Sequence, residues 1–154
     1  MKNYQQKSIT ADKKDLSINA PLVTEYMTKE LITFTPQDPI SKVIQSLLSN
    51  RISGAPVINE DGKVVGLIDD KDCLNVLVGQ AYYNTPSNQS TVANYMSDVM
   101  KSISIDDNIV DIANIFLHSK YKRLLVLNHD GKLAGQISRR DILRAIKDIN
   151  ASTW

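Results

Sequence analysis

The sequence of 154 residues is poor in the residue types that build metal clusters and disulfides, with one cysteine and two histidines. Lone Cys73 excludes an internal disulfide and a cysteine-based metal cluster. Because apolar Leu74 follows it, we interpret Cys73 as a buried structural thiol rather than a nucleophile. The polar N-terminus has no apolar core of signal-peptide length, and no stretch approaches membrane-spanning length. We therefore expect a cytoplasmic protein that does not enter membranes.

The chain also lacks an excess of charge of either sign, since the formal net charge is +1 at pH 7. Binding phosphate backbones or anionic lipid surfaces needs a positive field, so the charge argues against nucleic-acid and membrane-surface proteins. His118 and His129 show neither metal-ligand spacing nor a pairing with serine or cysteine. We expect His129 to be solvated in a turn and His118 to close a helix. The sequence thus predicts no metal site, no catalytic residues and no enzyme.

What the sequence does contain is a long internal repeat. Val23-Thr24-Glu25-Tyr26-Met27 returns as Val92-Ala93-Asn94-Tyr95-Met96, and Asn59-Glu60-Asp61-Gly62-Lys63 returns as Asn128-His129-Asp130-Gly131-Lys132. At a constant offset of about 69 residues, about fifteen of roughly fifty aligned pairs are identical, which indicates duplicated structural units. Each unit alone, at about 60 residues, would be only marginally stable, so we expect the two to fold together.

Each repeat is predicted to run strand, helix, strand, strand, helix, which is an α/β element. In the first repeat, residues 32–35 alternate as a short strand, and Asp38 is expected to cap a helix with Pro39 in its first position. A hairpin is predicted around Glu60-Asp61-Gly62, followed by a helix from about Lys71. The second repeat follows the same order, with Asp107 as the helix cap. We divide the chain into a tail (1–20), a first domain (21–84), a linker (85–91) and a second domain (92–150).

The segment Gly135-Gln136-Ile137-Ser138-Arg139-Arg140-Asp141 is the strongest candidate for a binding site. A strand ends near Ile137 and a helix begins near Ser138, so backbone N–H groups there favour an anion. Asp141 is a carboxylate that can accept two hydrogen bonds from a vicinal diol such as a ribose. Ser-x-x-Asp is also a capping-box pattern that needs no ligand, and spacing alone favours that interpretation.

A cationic segment, Lys120-Tyr121-Lys122-Arg123, precedes the second predicted hairpin. Arg123 suits a phosphate through its planar fork, and Lys122 suits it as a point charge. The alternative is a solvated loop with flexible charges, and spacing alone does not place both groups at one site.

The order of the elements and three motifs give the chain a family resemblance. The Tyr-Met opening, the Ser-Gly-Ala-Pro-Val-Ile strand and the Gly-x-Ile-Ser-x-x-Asp ending resemble the CBS domain family, named after cystathionine β-synthase. The resemblance covers about 23–83 and 92–149. It implies a tandem pair of CBS domains, packed through their sheets with pseudo-twofold symmetry. In that family the clefts between repeats bind adenine nucleotides or related adenosyl ligands, and the pairs usually regulate another protein without catalytic activity.

Carried over residue by residue, the resemblance implies a ligand site. Asp141 would take the ribose hydroxyls, Ser138 a phosphate, and Lys122 and Arg123 further phosphate oxygens. The remaining residues are implied to contact the adenine or to close its edge: Met27, Thr28, Leu31, Ile32, Ser53, Gly54 and Ala55.

The equivalent site in the first repeat departs from the family pattern. Asp72 is kept, but Asp69 stands where serine or threonine is usual, and its charge would repel a phosphate. The counterparts of Lys122 and Arg123 are Ser53 and Gly54, which carry no charge. We therefore expect one competent nucleotide site at Asp141 and a degenerate site at Asp72.

The leading interpretation is a stand-alone regulatory pair that binds AMP, ADP, ATP or S-adenosylmethionine and signals its occupancy to an unidentified partner. The resemblance also implies a homodimer, formed through apolar helix faces such as those of Leu77, Val78 and Ile146. These side chains could instead belong to the ordinary core. The rival interpretation is a ligand-free dimerisation or docking module, since fold alone does not establish function.

Overall fold

The computed structural model describes residues 20–84, 90–98 and 101–153 of the chain. Almost all of the predicted tail and most of the predicted linker lie outside the described residues. The described part is an α/β structure, as predicted. Its four α-helices are α1 (Ile40–Asn50), α2 (Asp70–Tyr83), α3 (Ile109–Leu117) and α4 (Arg139–Thr153). Its five strands are β1 (Gly54–Ile58), β2 (Val64–Asp69), β3 (Ser102–Ser104), β4 (Arg123–Leu127) and β5 (Leu133–Ser138). Single 3₁₀ turns, Val23–Glu25 and Val92–Asn94, open the two repeats.

The strands form two small sheets with the predicted hairpins. In the first repeat β1 pairs antiparallel with β2, with Gly54 opposite Asp69. In the second repeat β3 pairs in parallel with β4, and β4 neighbours β5. The turn glycines Gly62 and Gly131 have φ angles of 80° and 82°, as a tight hairpin turn requires.

The predicted first strand, residues 32–35, is an isolated bridge in the structure. Phe34 pairs in parallel with Val57, donating its N–H to the Pro56 carbonyl and accepting one from Ile58. Pro56 has no N–H to donate, which limits how far the pairing extends. The corresponding segment of the second repeat does form a strand, β3.

The predicted caps of α1 and α3 were wrong by one residue. Helix α1 begins at Ile40 with Pro39 at the N-cap, and α3 begins at Ile109 with Asn108 accepting from the Asp111 N–H. Asp38 and Asp107 instead accept from the N–H groups of Thr35 and Ser104, three residues before each carboxylate. Both aspartates therefore hold the turn that leads into the helix.

Two hydrophobic clusters form the core. One includes Ile112, Leu124 and Ile137, and the other includes Val43, Val57 and Ile68, all 2% exposed or less. Leu77, Val78 and Ile146 belong to neither cluster: their exposed fractions are 68%, 44% and 46%. The alternative that these three side chains are ordinary core is therefore wrong.

The compact units of the structure divide the chain differently from the sequence repeats. The described residues of unit A are 20–29, 102–129 and 134–153, and those of unit B are 30–84, 90–98, 101 and 130–133. In unit A, Thr28 exchanges two backbone hydrogen bonds with Gln136, of 2.8 and 3.0 Å. In unit B, Ser97 does the same with Leu67, at 2.8 Å each. Each repeat thus contributes its opening segment, residues 22–28 in the first repeat and 91–97 in the second, to the compact unit built on the other repeat.

Candidate functional site

Asp141 lies in the first turn of α4 and makes the contacts of a capping residue. One carboxylate oxygen, Oδ2, accepts from the Ser138 N–H at 2.8 Å and from the Ser138 hydroxyl at 3.0 Å. The Ser138 Oγ in turn accepts from the Asp141 N–H at 3.3 Å. The Asp141 side chain is only 9% exposed. The capping box that the Ser-x-x-Asp pattern predicts is therefore formed in the structure.

The second oxygen of Asp141 is held by Arg144, a residue that sequence reasoning missed. The Arg144 guanidinium donates to Asp141 Oδ1 at 2.5 Å and to the Tyr26 carbonyl at 3.3 Å. Asp141 and Arg144 stand at i and i+3 of one helix, so the pair lies on one helix face. A search for cations three or four residues from Asp141 would have found it. Arg144 thus joins the candidate site to the opening segment of the first repeat.

That opening segment has a second link to α4. The Tyr26 hydroxyl donates to Asp148 Oδ2 at 2.8 Å. This hydrogen bond, together with partial burial and the negative charge of Asp148, raises the pKa of the Tyr26 phenol above its ordinary value. The first repeat lacks the two partners, since Asn75 and Gly79 stand where Arg144 and Asp148 do.

Two of the predicted adenine contacts, Met27 and Thr28, lie in unit A together with Ser138 and Asp141. A Cβ placed on Gly135 would lie 2.7 Å from the Thr28 carbonyl oxygen and 2.9 Å from the Met27 sulfur. Only glycine therefore admits the opening segment this close to β5. The predicted site residues Met27, Thr28, Ser138 and Asp141 thus lie on neighbouring segments of unit A.

The cationic segment also lies near the start of α4. Arg139 Nη2 donates to the Tyr121 carbonyl at 3.1 Å, which brings residue 121 beside the first residue of the helix. Lys122 is exposed, and half-buried Arg123 begins β4. Arg139 was not among the predicted site residues, although its position directly after Ser138 is visible in the sequence. Arg139 therefore links the helix start to the cationic segment.

The other predicted contacts belong to unit B. Leu31 and Ile32 are half-buried, and Ile32 packs against the core of that unit. The Ser53 carbonyl accepts from the Asp70 N–H at 2.8 Å, and Gly54 and Ala55 begin β1. Their approach to the ligand remains a prediction.

The equivalent position of the first repeat is built from two carboxylates. Asp69 accepts from the Asp72 N–H at 2.7 Å, and Asp72 accepts from the Asp69 N–H at 3.0 Å. Burial and the nearby Asp69 charge raise the pKa of the Asp72 carboxyl, against the lowering effect of the Asp69 N–H. Asp69 thus takes the capping role of Ser138 but adds a negative charge, which a phosphate would meet at this helix start.

Other candidate groups show ordinary environments. The exposed His129 Nε2 lies 2.6 Å from Asp106 Oδ2, and His118 Nδ1 lies 2.8 Å from the Asn114 carbonyl. Cys73 is half-buried, and burial with nearby carboxylates raises the pKa of its thiol. Within the described ranges no His, Cys, Asp and Glu residues cluster as metal ligands. Among the helices described, none has the length and apolar character needed to cross a bilayer.

Comparison with known proteins places these residues in a family context. The model of the CBS domain matches residues 23–79 and 92–148. The chloroplastic CBS domain-containing protein CBSX1 of Arabidopsis thaliana is 32% identical over 155 residues, covering 84% of this chain and 66% of CBSX1. An uncharacterized protein of Methanocaldococcus jannaschii, MJ1426, is 27% identical over 164 residues, covering 85% of this chain and 95% of that protein. The crystal structure of CBSX2 in complex with AMP is similar with a TM-score of 0.73 at 26% identity, covering 84% of this chain and 98% of that one. The chain therefore belongs to the CBS domain family, with one CBS domain in each sequence repeat.

Proposed function

We propose that this chain is a non-catalytic regulatory module that binds an adenine nucleotide at the start of α4. The observation that carries the proposal is the nearly buried Asp141 carboxylate beside the Ser138 hydroxyl, at a helix start that Arg139 joins to the cationic segment. A carboxylate for a ribose diol and donors for a phosphate thus occur together. The complex of the related CBSX2 with AMP supports the same ligand class.

The regulatory part of the proposal rests on differential binding. The ligand would contact residues of both repeats, so it would favour the arrangement of the repeats that fits it best. A partner protein that binds one arrangement better than another would then respond to nucleotide occupancy. The cytoplasmic location that the sequence predicts remains a prediction.

The rival function is a ligand-free dimerisation or docking module, and one observation favours it. The Asp141 carboxylate already accepts hydrogen bonds from Ser138 and Arg144, and these contacts account for a capped helix start without a ligand. Under this rival, the cations around Arg139 and Lys122 would have no role.

A thermal-shift panel separates the two functions. AMP, ADP, ATP, S-adenosylmethionine and GTP are tested on wild type, on Asp141→Asn and on the matched variant Asp72→Asn. A ligand at a hundred times its dissociation constant stabilises the fold by about 2.7 kcal/mol, which is several degrees for a protein of this size. We expect an adenine-selective shift in wild type and Asp72→Asn that Asp141→Asn loses. No shift in folded wild type would favour the rival.

A further inference from the structure

The hydrogen bonds of Asp141 limit how it can receive a ribose. An ionised carboxylate has about four acceptor positions. Within the described residues, three are used: two on Oδ2 by the Ser138 N–H and hydroxyl, and one on Oδ1 by Arg144. A vicinal diol that donates both of its hydroxyl hydrogens needs two positions. One internal donor must therefore leave when a ribose binds to Asp141 in this way.

Of the three donors, the Ser138 hydroxyl is the one that leaves at the lowest cost. The Ser138 N–H is fixed by the backbone at the end of β5, and would lose its partner in a half-buried place. The Arg144 side chain is 60% exposed, but its contact is charge-assisted and, at 2.5 Å, the shortest of the three, and the Tyr26 carbonyl holds the same guanidinium in place. The hydroxyl is a neutral donor at 3.0 Å, and it can turn about the Cβ–Oγ bond toward another acceptor.

The same hydroxyl is the group that a phosphate would need. A serine hydroxyl has a single hydrogen to donate, and in the structure that hydrogen is directed to Asp141 Oδ2. Ser138 therefore donates to a phosphate only after it has released Asp141. One rotation of the hydroxyl would supply a donor to the phosphate and an acceptor position to the ribose.

We propose that the Ser138 hydroxyl couples the recognition of phosphate and ribose, so that this site selects ligands carrying both groups on one molecule. The inference rests on the proposed function and narrows its ligand class to nucleotides with a free 2′,3′-diol and a 5′-phosphate. One acceptor position of Asp141 is already open, so a nucleoside breaks the Ser138–Asp141 contact only to gain its second diol contact, and a 2′,3′-dideoxynucleotide breaks it only to gain the phosphate contact. A ribonucleotide breaks it once for two, so each group raises the affinity that the other contributes.

The first repeat provides an internal contrast. Asp69 occupies the position of Ser138, and an ionised carboxylate has no hydrogen to redirect to a phosphate. Its contact with the Asp72 N–H is an acceptor contact only. The coupling is thus confined to the second repeat, where the cations also lie.

The test measures four ligands: AMP, adenosine, 2′,3′-dideoxy-AMP and 2′,3′-dideoxyadenosine. Titration calorimetry gives the dissociation constants, and weak ligands are measured by displacement of AMP. In wild type, we expect the phosphate to improve affinity about tenfold more when the diol is present than when it is absent. In Ser138→Ala this extra factor should fall to about one, and in Ser138→Thr, which keeps a hydroxyl, it should persist.

The Ser138→Ala variant also separates the coupling from a structural effect. Loss of the hydroxyl removes a phosphate donor, so AMP should bind several-fold more weakly than to wild type. The same loss leaves an acceptor position of Asp141 open, so adenosine should bind at least as tightly as to wild type. A damaged helix start would weaken both ligands by the same factor, and that result would overturn the coupling alone. If no adenine ligand binds folded wild type, the proposed function fails and the coupling fails with it.

Discussion

Asp38 shows how one carboxylate contributes to the turn before a helix. Burial opposes its ionisation, but hydrogen bonds from the Thr35 N–H and from Lys42 outweigh burial and lower the pKa of the Asp38 carboxyl. A lowered pKa in the folded state means that the ionised form adds stability above the ordinary aspartate value of about 3.9. This stability is lost as the pH falls through the lower folded-state pKa.

We predict that Asp38→Ala lowers the free energy of unfolding by about 1 kcal/mol at pH 7, the usual size of one lost hydrogen bond. The difference from wild type should be smaller at pH 3, which lies below the ordinary aspartate pKa of about 3.9 and closer to the lowered folded-state pKa. Urea unfolding at the two pH values measures it, with Asp61→Ala, an exposed turn residue, as the control. A stability difference between wild type and Asp38→Ala that stays constant or grows at acidic pH would contradict this role of Asp38.

The residue scale also shows where sequence reasoning stops. Asp38 and Asp107 were predicted as helix caps because each precedes an apolar helical pattern. An aspartate can accept from the N–H after it, as a cap, or from the N–H of the turn before it, and both uses leave the same sequence pattern. Asp141 is similar: Ser-x-x-Asp predicted both a capping box and a ribose contact, and the first is formed. The second remains a proposal, since it depends on a ligand.

At the scale of elements, the central feature is how the opening segments are docked. The helices and both hairpins could be predicted, because period and turn residues are local signals. The exchange of opening segments between compact units could not, because a repeat shows which residues correspond but not which copy each segment packs against. Two glycines, Gly135 and Gly66, mark the docking positions.

We predict that Gly135→Ala destabilises the protein by about 1–3 kcal/mol, the usual cost of overpacking. The added Cβ would meet the Thr28 carbonyl oxygen at 2.7 Å, and a backbone atom cannot move aside as a flexible side chain does. Gly66→Ala should cost a similar amount, because its Cβ would lie 2.8 Å from the Ser97 carbonyl oxygen. Chemical denaturation measures both variants.

The matched control is Gln136→Ala, which removes a side chain beside Gly135 and leaves the backbone contacts with Thr28 in place. If both glycine variants are as stable as this control, the close approach of the opening segments does not constrain the sequence.

In the whole molecule, several large apolar side chains are exposed, and packing within a single chain does not account for them. Leu74 and Leu77 on α2 are 65% and 68% exposed, and Leu143 on α4 is 64% exposed. A groove of about 520 Å³, lined mainly by apolar side chains of α3 and α4, lies beside Leu143 and Ile146. Exposed apolar surface of this kind marks interaction sites, so it supports the homodimer that the family resemblance implies.

We predict that Leu77→Lys weakens self-association at least tenfold, since a buried lysine charge without a partner is costly. Sedimentation velocity over a concentration series measures this, and circular dichroism verifies that the variant folds. Gln45→Lys, at an exposed position of α1, carries the same added charge and should associate as wild type does. A wild-type chain that stays monomeric at high concentration would contradict the homodimer.

The two repeats of the molecule differ at their helix starts. The sequence alone predicts it, because Asp69 replaces Ser138, and Ser53 and Gly54 replace Lys122 and Arg123. The structure adds that both helix starts are capped in a similar way, so the difference lies in charge and in the hydroxyl hydrogen. A neutral hydroxyl can donate to a phosphate, whereas two adjacent carboxylates repel it.

Titration calorimetry with AMP tests this difference between the repeats, because it reports stoichiometry together with affinity. We predict one AMP per chain for wild type and for Asp72→Asn, and affinity at least tenfold lower for Asp141→Asn, with all three proteins folded. Two equivalent molecules per chain, or binding that Asp72→Asn abolishes and Asp141→Asn retains, would contradict the account.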